Sequence, residues 1–556
     1  MISSLALKFG RLPGAAPEVI NTTPVTVFVG PNNSGKSQVL REIVRYCTSG
    51  QRNTGDVIVE QIQFQGVAAE DAAERINRVT LPRRPGESLP PENVIVGKKG
   101  ARNQVQRERL LAAMQDPNGH ARHFCPWYLS YNTMMLDGRS RIDLVKEQPA
   151  GDLQHEPQSS FQVLFRDNQR RAEVRRIVHD AFKLFFAIDP THLGHFRIRL
   201  SERSPASELQ ERGIHDDAVR FHSEAQPIEQ ASDGVKAFVG MITEIIAGDP
   251  HVLLIDEPEA FLHPALSFNL GKEIALASLG SEKRLFVSTH SPTFVMGCIQ
   301  SGAPINIVRL TYRGGTATAR ILPGTEILRL MRNPLLRSTG VLSGLFYECV
   351  VVTESDTDRA FYQEINERLL RHAPAKGIPN CLFLNAQNKQ TVRTIIRPLR
   401  ELGIPTAGLV DIDVLKEGGR TWTDFLASGF VPDLERGSLA DLRARIREQF
   451  DATGRDMKRD GGIDLLGVDD REASSNLLDH LQRYGLFVVR CGEIEAWLRD
   501  LGAVGHGPTW LVDVFEKMGE DPEAEDYVRP TEGDVWEFVS SLKIWLEDPK
   551  RRGIPS

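Results

Sequence analysis

Short apolar runs that end in polar residues are the clearest pattern along this chain. The run 25–29 (VTVFV) is followed at once by the glycine-bearing segment 30–37 (GPNNSGKS), and residues 38–46 then show helical spacing of apolar side chains. Further apolar runs at 252–255 and 285–287 end in acidic residues and near a histidine, respectively. Apolar strands that alternate with amphipathic helices predict an α/β fold.

The second half of the chain repeats this pattern with a different chemistry. Apolar runs at 349–353, 407–410 and 486–490 are each followed by acidic residues. Because the carboxyl ends of parallel strands meet at one edge of a sheet, these runs predict an acidic cluster there. The charged stretch at about 414–484 contains apolar residues at helical spacing, which predicts an inserted helical subdomain.

Segment 30–37 has the spacing of a phosphate-binding loop, GxxxxGK[ST], between a predicted strand and a predicted helix. Its glycines let successive backbone N–H groups point into one concavity, and the helix N-terminus adds partial positive charge. Lys36 would bridge the β- and γ-phosphates of ATP, and Ser37 would ligate Mg²⁺. The other residues expected to contact ATP here are Asn32, Asn33, Ser34, Gly35 and Gln38.

Three further segments supply partners for this loop. Asp256 and Glu257 end an apolar strand, so Asp256 would hold Mg²⁺ and Glu257 would act as the base that polarises the attacking water. Ser232 and Gly234, in ASDGVKA, open a predicted helix and offer a second anion site. His290 ends the strand in RLFVSTHSP and would reach the γ-phosphate.

Four segments of the first 330 residues resemble the ABC-type ATPase heads of the SMC, RecF and OLD-like group: GPNNSGKS, ASDGVKA, LLIDEPEAFLHP and FVSTHSP. The resemblance covers residues 1–330 and implies that Ser232 and Gly234 of one head meet the ATP held by Lys36 of another. It therefore implies a homodimer, or a higher homo-oligomer, formed through the ATPase heads. ASDGVKA departs from the LSGGQ of transporters. The Q-loop glutamine stays open among Gln61, Gln63 and Gln65.

Six carboxylates follow the three apolar runs of the second half: Glu354, Asp358, Asp411, Asp413, Glu493 and Glu495. Several carboxylates brought close together cannot all stay ionised unless a cation lies between them. An all-oxygen ligand set suits Mg²⁺ or Mn²⁺ rather than zinc. Asp411 and Asp413 are expected to face the same side of an extended strand, where side chains alternate with a period of two. Asn388 and Lys389 are further candidates for phosphate contact.

The acidic segments ESDTD, DID and GEIEAW resemble, in this order, the TOPRIM domain of OLD-family nucleases. The resemblance covers residues 346–510, between a linker at 331–345 and a C-terminal helical extension at 511–556. It implies that the six carboxylates are the metal ligands of a nuclease. Three of them would share two metal ions most directly and so be catalytic, namely Glu354, Asp411 and Asp413.

Two details of this resemblance concern single residues. The family has a glycine after its first glutamate, where this chain has Ser355. The glycine would relieve crowding at the turn from strand to helix. The family also uses a lysine near the C-terminus of the domain, for which Lys543 is our candidate and Arg551 or Arg552 the alternatives.

Composition narrows what the whole chain can be. Of 556 residues, 41% are hydrophobic and 25% charged, which excludes a wholly disordered, collagen-like or coiled-coil protein. The net charge of −7 argues against a protein coated in positive charge, but not against a local basic groove. Six scattered cysteines, no secretory signal and no apolar run near the roughly 20 residues of a membrane span predict a cytoplasmic protein without membrane contact.

These features and resemblances predict an ATP-regulated, metal-dependent endonuclease that cuts double-stranded DNA by a two-metal mechanism. ATP and Mg²⁺ are the expected cofactors, with Mn²⁺ as an alternative at the nuclease site. The family resemblance, which extends to the Gabija nuclease subunit, implies anti-phage defence in bacteria and a helicase-like or other defence partner. The alternative is a non-cutting RecF- or SMC-like DNA repair ATPase whose TOPRIM-like domain only binds metal or a partner. A transporter ATPase subunit fits less well.

Overall fold

Two units, each with its own hydrophobic core, make up the chain, with the main boundary between Leu328 and Arg329. The computed structural model describes residues 1–98, 101–338, 340–548 and 553–555. Within these ranges, no helix is both long and apolar enough to cross a membrane.

The first unit contains fifteen described strands, and its largest sheet has six of them. The strands are β1 (Ile2–Leu7), β2 (Val19–Asn21), β3 (Val25–Val29), β4 (Val59–Phe64), β5 (Asn93–Val96), β6 (Asn103–Gln106), β7 (Thr133–Leu136), β8 (Gln148–Pro149), β9 (Phe185–Asp189), β10 (His195–Ser201), β11 (Gln226–Pro227), β12 (Val252–Asp256), β13 (Arg284–Ser288), β14 (Ile305–Arg313) and β15 (Thr316–Pro323). The six-stranded sheet has the order β15-β14-β3-β13-β12-β7.

The helices of the first unit, together with the one that leads out of it, are α1 (Lys36–Ser49), α2 (Ala69–Val79), α3 (Arg107–Gln115), α4 (Ala121–Trp127), α5 (Gly138–Asp143), α6 (Ser160–Arg166), α7 (Asn168–Phe182), α8 (Glu208–Arg212), α9 (Asp216–Glu224), α10 (Asp233–Ala247), α11 (Pro264–Ala277), α12 (Pro292–Gln300) and α13 (Gly324–Met331). Helix α1 packs its buried face against the sheet through Val39, Leu40 and Ile43, whose spacing predicted it. Burial of each such side chain contributes about 1.5–3 kcal/mol.

Strand order in the six-stranded sheet brings the first candidate site together. β3, β13 and β12 are neighbours and run parallel, so their carboxyl ends lie at one edge. β13 lies between the strand that precedes the glycine-rich loop and the strand that ends at Asp256. The sheet thus confirms the α/β class and gathers the loop, the acids and the histidine segment at one edge.

The second unit has one parallel sheet, in the order β17-β16-β18-β19. Its strands are β16 (Cys349–Thr353), β17 (Cys381–Asn385), β18 (Thr406–Asp411) and β19 (Leu486–Val489). Its helices are α14 (Pro334–Ser338), α15 (Asp356–His372), α16 (Lys389–Glu401), α17 (Gly419–Ser428), α18 (Asp433–Ala452), α19 (Val468–Arg483), α20 (Pro508–Met518) and α21 (Asp534–Glu547).

Helices α17, α18 and α19 lie in sequence between β18 and β19, two strands that pair directly. This is the helical insertion that the charged stretch predicted. The predicted amphipathic face of α18 is buried at Leu439, Ile446 and Phe450. The loop after α18 returns to the sheet edge, where Ile463 N donates to the carbonyl of Arg490 at 3.0 Å.

Candidate nucleotide and carboxylate sites

The loop between β3 and α1 has the backbone of a phosphate cradle. Gly30, Asn33 and Gly35 all have positive φ, at 148°, 61° and 92°, which turns the chain tightly before α1 begins at Lys36. At Gly35 a Cβ would also lie 2.7 Å from the Ile58 side chain, so both conformation and space favour glycine there. The residue before α1 is Gly35, which has no side chain to cap the helix, and a helix N-terminus of this kind favours an anion.

Three side chains of this loop suit a magnesium nucleotide. Lys36 is 95% buried, and desolvation lowers its pKa to about 8 although Glu257 and Asp256 raise it. An anionic phosphate would relieve that desolvation cost. Ser37 Oγ donates to Asp256 Oδ1 at 2.8 Å, so the hydroxyl and the carboxylate already meet. Ser34 Oγ is buried without a hydrogen-bond partner among the described residues, as expected of an atom that contacts a ligand.

Glu257 and His290 face each other beside this loop. His290 Nε2 lies 3.5 Å from Glu257 Oε1, and burial followed by the Lys36 charge lowers the pKa of His290. Glu257 has a φ of 52°, a left-handed conformation that costs a non-glycine residue about 1 kcal/mol or more. Its N–H donates to the Ser288 carbonyl at 2.9 Å, while the Ser288 hydroxyl donates to Asp256.

Two charged residues of this site were missed from the sequence. Arg141, at the end of the LDGRSR segment, is 99% buried and donates from Nη1 to the carbonyl of Glu257. Glu259 accepts the His290 N–H at 2.8 Å, and burial raises its pKa. Neither residue ends a strand or fits a spacing rule, so the only signal was their nearness in sequence to quoted motifs.

The remaining nucleotide-site candidates have local roles in the single chain. Ser232 caps α10 by accepting from Val235 N at 3.5 Å, and Gly234 lies against the Phe261 carbonyl, where a Cβ would come within 2.6 Å. Asn32 is exposed, and Gln38 donates to Glu42 along α1. Of the three candidate Q-loop glutamines, Gln61 pairs with Ala6 of β1, Gln63 accepts from Ser4 and Gln65 exchanges backbone bonds with Met1.

The carboxyl ends of β16, β18 and β19 form the second candidate site. Glu354 Oε1 accepts the backbone N–H of Asp411 at 2.9 Å, which joins the first two acidic segments. Burial raises the pKa of Glu354 to about 8, and the charges of Asp411 and Asp413 add to the shift. Burial also raises the pKa of Asp411 to about 7, with Asp358 as the second cause. These carboxylates are thus close enough to oppose each other's ionisation.

The prediction that Asp411 and Asp413 share one side of an extended strand is wrong. β18 ends at Asp411, and Asp413 lies in the 3₁₀ turn Ile412–Lys416. Lys389 Nζ donates to Asp413 Oδ2 at 2.8 Å and lies 3.5 Å from Glu417. Lys389, which was predicted to contact phosphate, therefore binds carboxylates in this structure. Asp413 Oδ1 is buried and makes no hydrogen bond with any described residue.

The basic residue at the acidic cluster is Lys458, from the loop after α18. Its Nζ lies 2.8 Å from Asp411 Oδ2 and 3.5 Å from Glu493 Oε2. Although burial opposes it, the Asp411 carboxylate raises the pKa of Lys458. Gly492 permits the approach, because a Cβ there would lie 2.0 Å from the Lys458 carbonyl oxygen.

Lys543, the lysine expected from the sequence, is not brought to this cluster. It lies on α21, where Nζ donates to the carbonyls of Pro374 and Ala375 at 3.1 and 2.8 Å. The alternatives Arg551 and Arg552 lie outside the described residues. The sequence could not reveal Lys458, because it lies within the long insertion, far along the chain from each acidic segment it meets.

Ser355 is accommodated without the family's glycine. It is the N-cap of α15 with a φ of −136°, so no left-handed conformation is required. Its N–H and Oγ both donate to Asp358 Oδ2 at 2.9 Å, and Asp358 N donates back to Ser355 Oγ at 3.2 Å. This capping box fixes Asp358 at the site edge, where burial raises the pKa of its carboxyl group.

Glu493 and Glu495 complete the acidic set after β19. Glu493 is 94% buried, and burial together with the Glu495 charge raises its pKa. Its Oε2 makes no hydrogen bond within the described ranges. Glu495 Oε1 lies 2.7 Å from His506 Nδ1 and accepts the Gly507 N–H at 2.8 Å.

The residues present fit a divalent cation. Buried carboxylate oxygens of Asp413 and Glu493 lack hydrogen bonds among the described residues. The raised pKa values of Glu354 and Asp411 favour the protonated, neutral forms of these two groups. A cation would satisfy those oxygens and reverse the shifts. The mainly oxygen donor set is typical of Mg²⁺ or Mn²⁺.

Fold and sites define a P-loop ATPase joined to a second, carboxylate-bearing α/β domain, and two family models identify both parts. "AAA domain, putative AbiEii toxin, Type IV TA system" (AAA_21) matches residues 148–296, and "Overcoming lysogenization defect protein-like, TOPRIM domain" matches residues 345–413. The chain is thus an ATPase–TOPRIM fusion with the domain order of the OLD family, as predicted. This pair of domains supports ATPase and nuclease activity. The similarity to the Gabija nuclease subunit stays a prediction.

Other comparisons add little to this. No curated protein matches the chain. Similar solved structures include an SMC head bound to the C-terminal winged-helix domain of ScpA (15% identity, TM-score 0.34), the SMC head domain from Thermotoga maritima (16%, 0.29) and the Smc head with an extended coiled coil bound to the C-terminal domain of ScpA, derived from Pyrococcus furiosus (14%, 0.30). They span 58%, 58% and 60% of this chain and 98%, 98% and 99% of their own chains.

Proposed function

We propose that the protein is an ATP-regulated, divalent-metal-dependent endonuclease that cleaves double-stranded DNA in bacterial defence against phage. The observation that carries this proposal is the buried carboxylate cluster around Glu354 and Asp411, with Lys458 against it. The defence role rests on the family resemblance and on the "Overcoming lysogenization defect protein-like" description of the matched TOPRIM model.

In the ATPase site, the proposed roles follow from position. Ser37 and Asp256, already in contact, would hold the magnesium of Mg-ATP, and Lys36 would contact the phosphates. The half-exposed Glu257 carboxylate would accept the proton of the attacking water, with His290 beside it. The raised conformational energy of Glu257 is typical of a residue held in place for chemistry.

In the nuclease site, Glu354, Asp411 and Asp413 would hold two cations, with Asp358, Glu493 and Glu495 as further ligands. Divalent cations bound there would supply the activated water and the charge stabilisation that phosphodiester hydrolysis needs. Lys389 and Ser355 orient two of these carboxylates, Asp413 and Asp358. The Lys458 ammonium group, a compact positive charge at the same edge, would contact a backbone phosphate of the DNA.

The ATPase heads would act as a dimerising switch. In the proposed dimer, Ser232 and Gly234 at the start of α10 meet the ATP held by Lys36 of the second copy. Cycles of ATP binding and hydrolysis would then change how the nuclease domains meet DNA. A helicase-like or other defence partner would act with this dimer.

Metal-dependent nicking of supercoiled plasmid tests the nuclease half. The wild-type chain is compared with Glu354→Ala and Asp411→Ala in Mg²⁺ or Mn²⁺, with and without ATP. We expect nicking only in the wild type and only with metal. Nicking that survives both substitutions would place the reaction elsewhere, and a wild type that binds DNA without cutting would favour the non-cutting repair ATPase.

The switch is tested by trapping its ATP-bound state. We expect Glu257→Gln to bind ATP without hydrolysing it and to elute as a dimer by light scattering, while Lys36→Ala stays without ATP. Unchanged hydrolysis in Glu257→Gln would remove Glu257 as the base. An ATP-loaded Glu257→Gln that remains monomeric would contradict the head-to-head dimer.

A further inference from the structure

We propose that Glu493, Glu495 and His506 form a metal site with one nitrogen ligand, which selects Mn²⁺ or a later transition-metal ion over Mg²⁺. One ligand atom from each residue lies within 4.8 Å of the other two. The inference deepens the proposed nuclease function and rests on it only for the role of the ion in cleavage. His506 ends no predicted strand, and no acidic pattern in the sequence points to it.

The buried member of this site is Glu493. Only 6% of the residue is exposed, and its Oε2 makes no hydrogen bond within the part of the chain that the structure describes. Lys458 Nζ lies 3.5 Å from this oxygen. The shorter contact of Lys458, at 2.8 Å, is with Asp411. A buried carboxylate oxygen in this state is costly, because it has lost water and gained only a long contact with the Lys458 ammonium group. A cation at this position would satisfy it.

His506 supplies the nitrogen. Its Nδ1 lies 2.7 Å from Glu495 Oε1, the same oxygen that accepts the N–H of Gly507 at 2.8 Å. The ring nitrogen and the carboxylate oxygen therefore point to one place, within hydrogen-bond distance of each other. A metal ion bound at this place would take both atoms as ligands. Because the His506 side chain is 62% exposed, an ion can enter from solvent.

The kind of ion follows from the donors. Carboxylate and water ligands alone suit Mg²⁺, which keeps much of its own hydration shell. Neutral imidazole suits the transition ions and adds little to Mg²⁺ binding. A site with two carboxylates and one imidazole, such as Glu493, Glu495 and His506, should therefore hold Mn²⁺ more tightly than Mg²⁺. The other carboxylates of the cluster, around Glu354 and Asp411, offer oxygen only.

Nitrogen ligation can be measured directly. The full-length, metal-free protein without nucleotide is loaded with Mn²⁺ alone, and pulsed electron paramagnetic resonance detects coupling of the ion to ¹⁴N. Calorimetry gives the Mn²⁺ and Mg²⁺ affinities of the same samples. We expect imidazole nitrogen coupling in the wild type. In His506→Ala that coupling should be lost, and Mn²⁺ affinity should fall by about tenfold or more with little change for Mg²⁺.

Two variants control this experiment. His155→Ala removes another exposed histidine paired with a carboxylate, 3.5 Å from Asp152. It should keep both the coupling and the Mn²⁺ affinity of the wild type. His506→Gln retains a side chain that can donate to Glu495 but removes the imidazole. If His506 only orients Glu495 through a hydrogen bond, His506→Gln will bind Mn²⁺ like the wild type, and the proposal is overturned.

The remaining outcomes are equally decisive. Absence of nitrogen coupling in the wild type, or coupling that persists in His506→Ala, overturns the proposal whatever the folding of the variants. Failure of the nuclease proposal gives a different result. In that case the coupling of Mn²⁺ to nitrogen still depends on His506, but the wild-type protein does not nick plasmid. Conversely, nicking that needs Glu354 without any nitrogen coupling removes only the inference about His506.

Discussion

Arg141 places an almost fully buried guanidinium group against the backbone of the proposed ATPase base. It donates to the carbonyl of Glu257, whose φ of 52° is unfavourable for a side-chain-bearing residue. Burial lowers the pKa of Arg141, and the carboxylates of Glu259 and Glu257 are the charges that oppose this. Arg141 therefore both neutralises the acidic strand end and holds Glu257 in its conformation.

We expect Arg141→Ala to lower kcat for ATP hydrolysis by on the order of 10- to 100-fold, because a small displacement of a base is costly. KM for ATP should change little, since the contact of Arg141 is with the backbone of the base. Arg139→Ala, an exposed arginine on the same helix, is the matched control. Equal losses in the two variants, or a change confined to KM, would argue against the positioning role.

We expect opposite effects on plasmid nicking when Lys458 and Lys543 are replaced. Lys458 meets Asp411, whereas Lys543 meets backbone carbonyls of Pro374 and Ala375. We expect Lys458→Ala to abolish plasmid nicking, because it removes the positive charge beside the carboxylates. Without metal it should also destabilise the protein by about 1–3 kcal/mol, the usual cost of a buried polar group that loses its hydrogen-bond partner.

The measurements are nicking in Mg²⁺ or Mn²⁺ and thermal unfolding in a chelator. Lys543→Ala should retain nicking, and its effect should be limited to the anchoring of α21. The reverse result, with nicking lost only in Lys543→Ala, would restore the assignment made from sequence and remove Lys458 from the reaction.

At the scale of elements, the approach of two loops decides whether Lys458 reaches the acids. The loop after α18 lies so close to the turn after β19 that a Cβ at Gly492 would come within 2.0 Å of the Lys458 carbonyl. Gly492 also has a φ of 120°. Gly492→Ala should therefore displace Lys458 and lower nicking about as much as Lys458→Ala does, while ATP hydrolysis is retained.

Gly461→Ala is a matched control for this variant. Gly461 lies in the loop of Lys458, has the same φ of 120° as Gly492, and has open space where a Cβ would be. Both substitutions place an alanine at the same φ, but only the one at Gly492 forces the loops apart. Nicking measured at equal protein stability should thus fall in Gly492→Ala only; equal losses in both would attribute the effect to strain.

The elements also show which parts of the site could be predicted from sequence. Strand ends were predictable because apolar runs and their polar ends are local patterns, so the positions of Asp256, Glu354 and Asp411 at strand ends were predicted. Asp413 was placed wrongly because the strand ends at Asp411, two residues earlier, and a 3₁₀ turn follows it. Lys458, Arg141 and His506 were missed because they lie on an insertion, a short helix and a loop, and only tertiary packing brings them to the sites.

At the scale of the whole molecule, each unit has its own core and its own ligand chemistry. A ligand at a hundredfold excess over its Kd stabilises the folded state by about 2.7 kcal/mol. Protection from hydrogen exchange is then greatest in the segments that the ligand contacts. In hydrogen-exchange mass spectrometry we therefore expect Mg-ATP to protect segments 30–37 and 252–257. Mn²⁺ without nucleotide should protect the segments that carry Glu354, Asp411 and His506.

Variants assign these effects to the two sites. Lys36→Ala should lose the protection by ATP and keep that by Mn²⁺, whereas Glu354→Ala should do the opposite. If Lys36→Ala also lost the Mn²⁺ effect, the carboxylate site would depend on the nucleotide site even without ATP, and the units would not bind their ligands separately. If neither variant changed either pattern, protection would arise elsewhere, and both site assignments would fail. Separate responses would mean that ATP controls cleavage by changing the position or assembly of a nuclease site that is already able to bind metal.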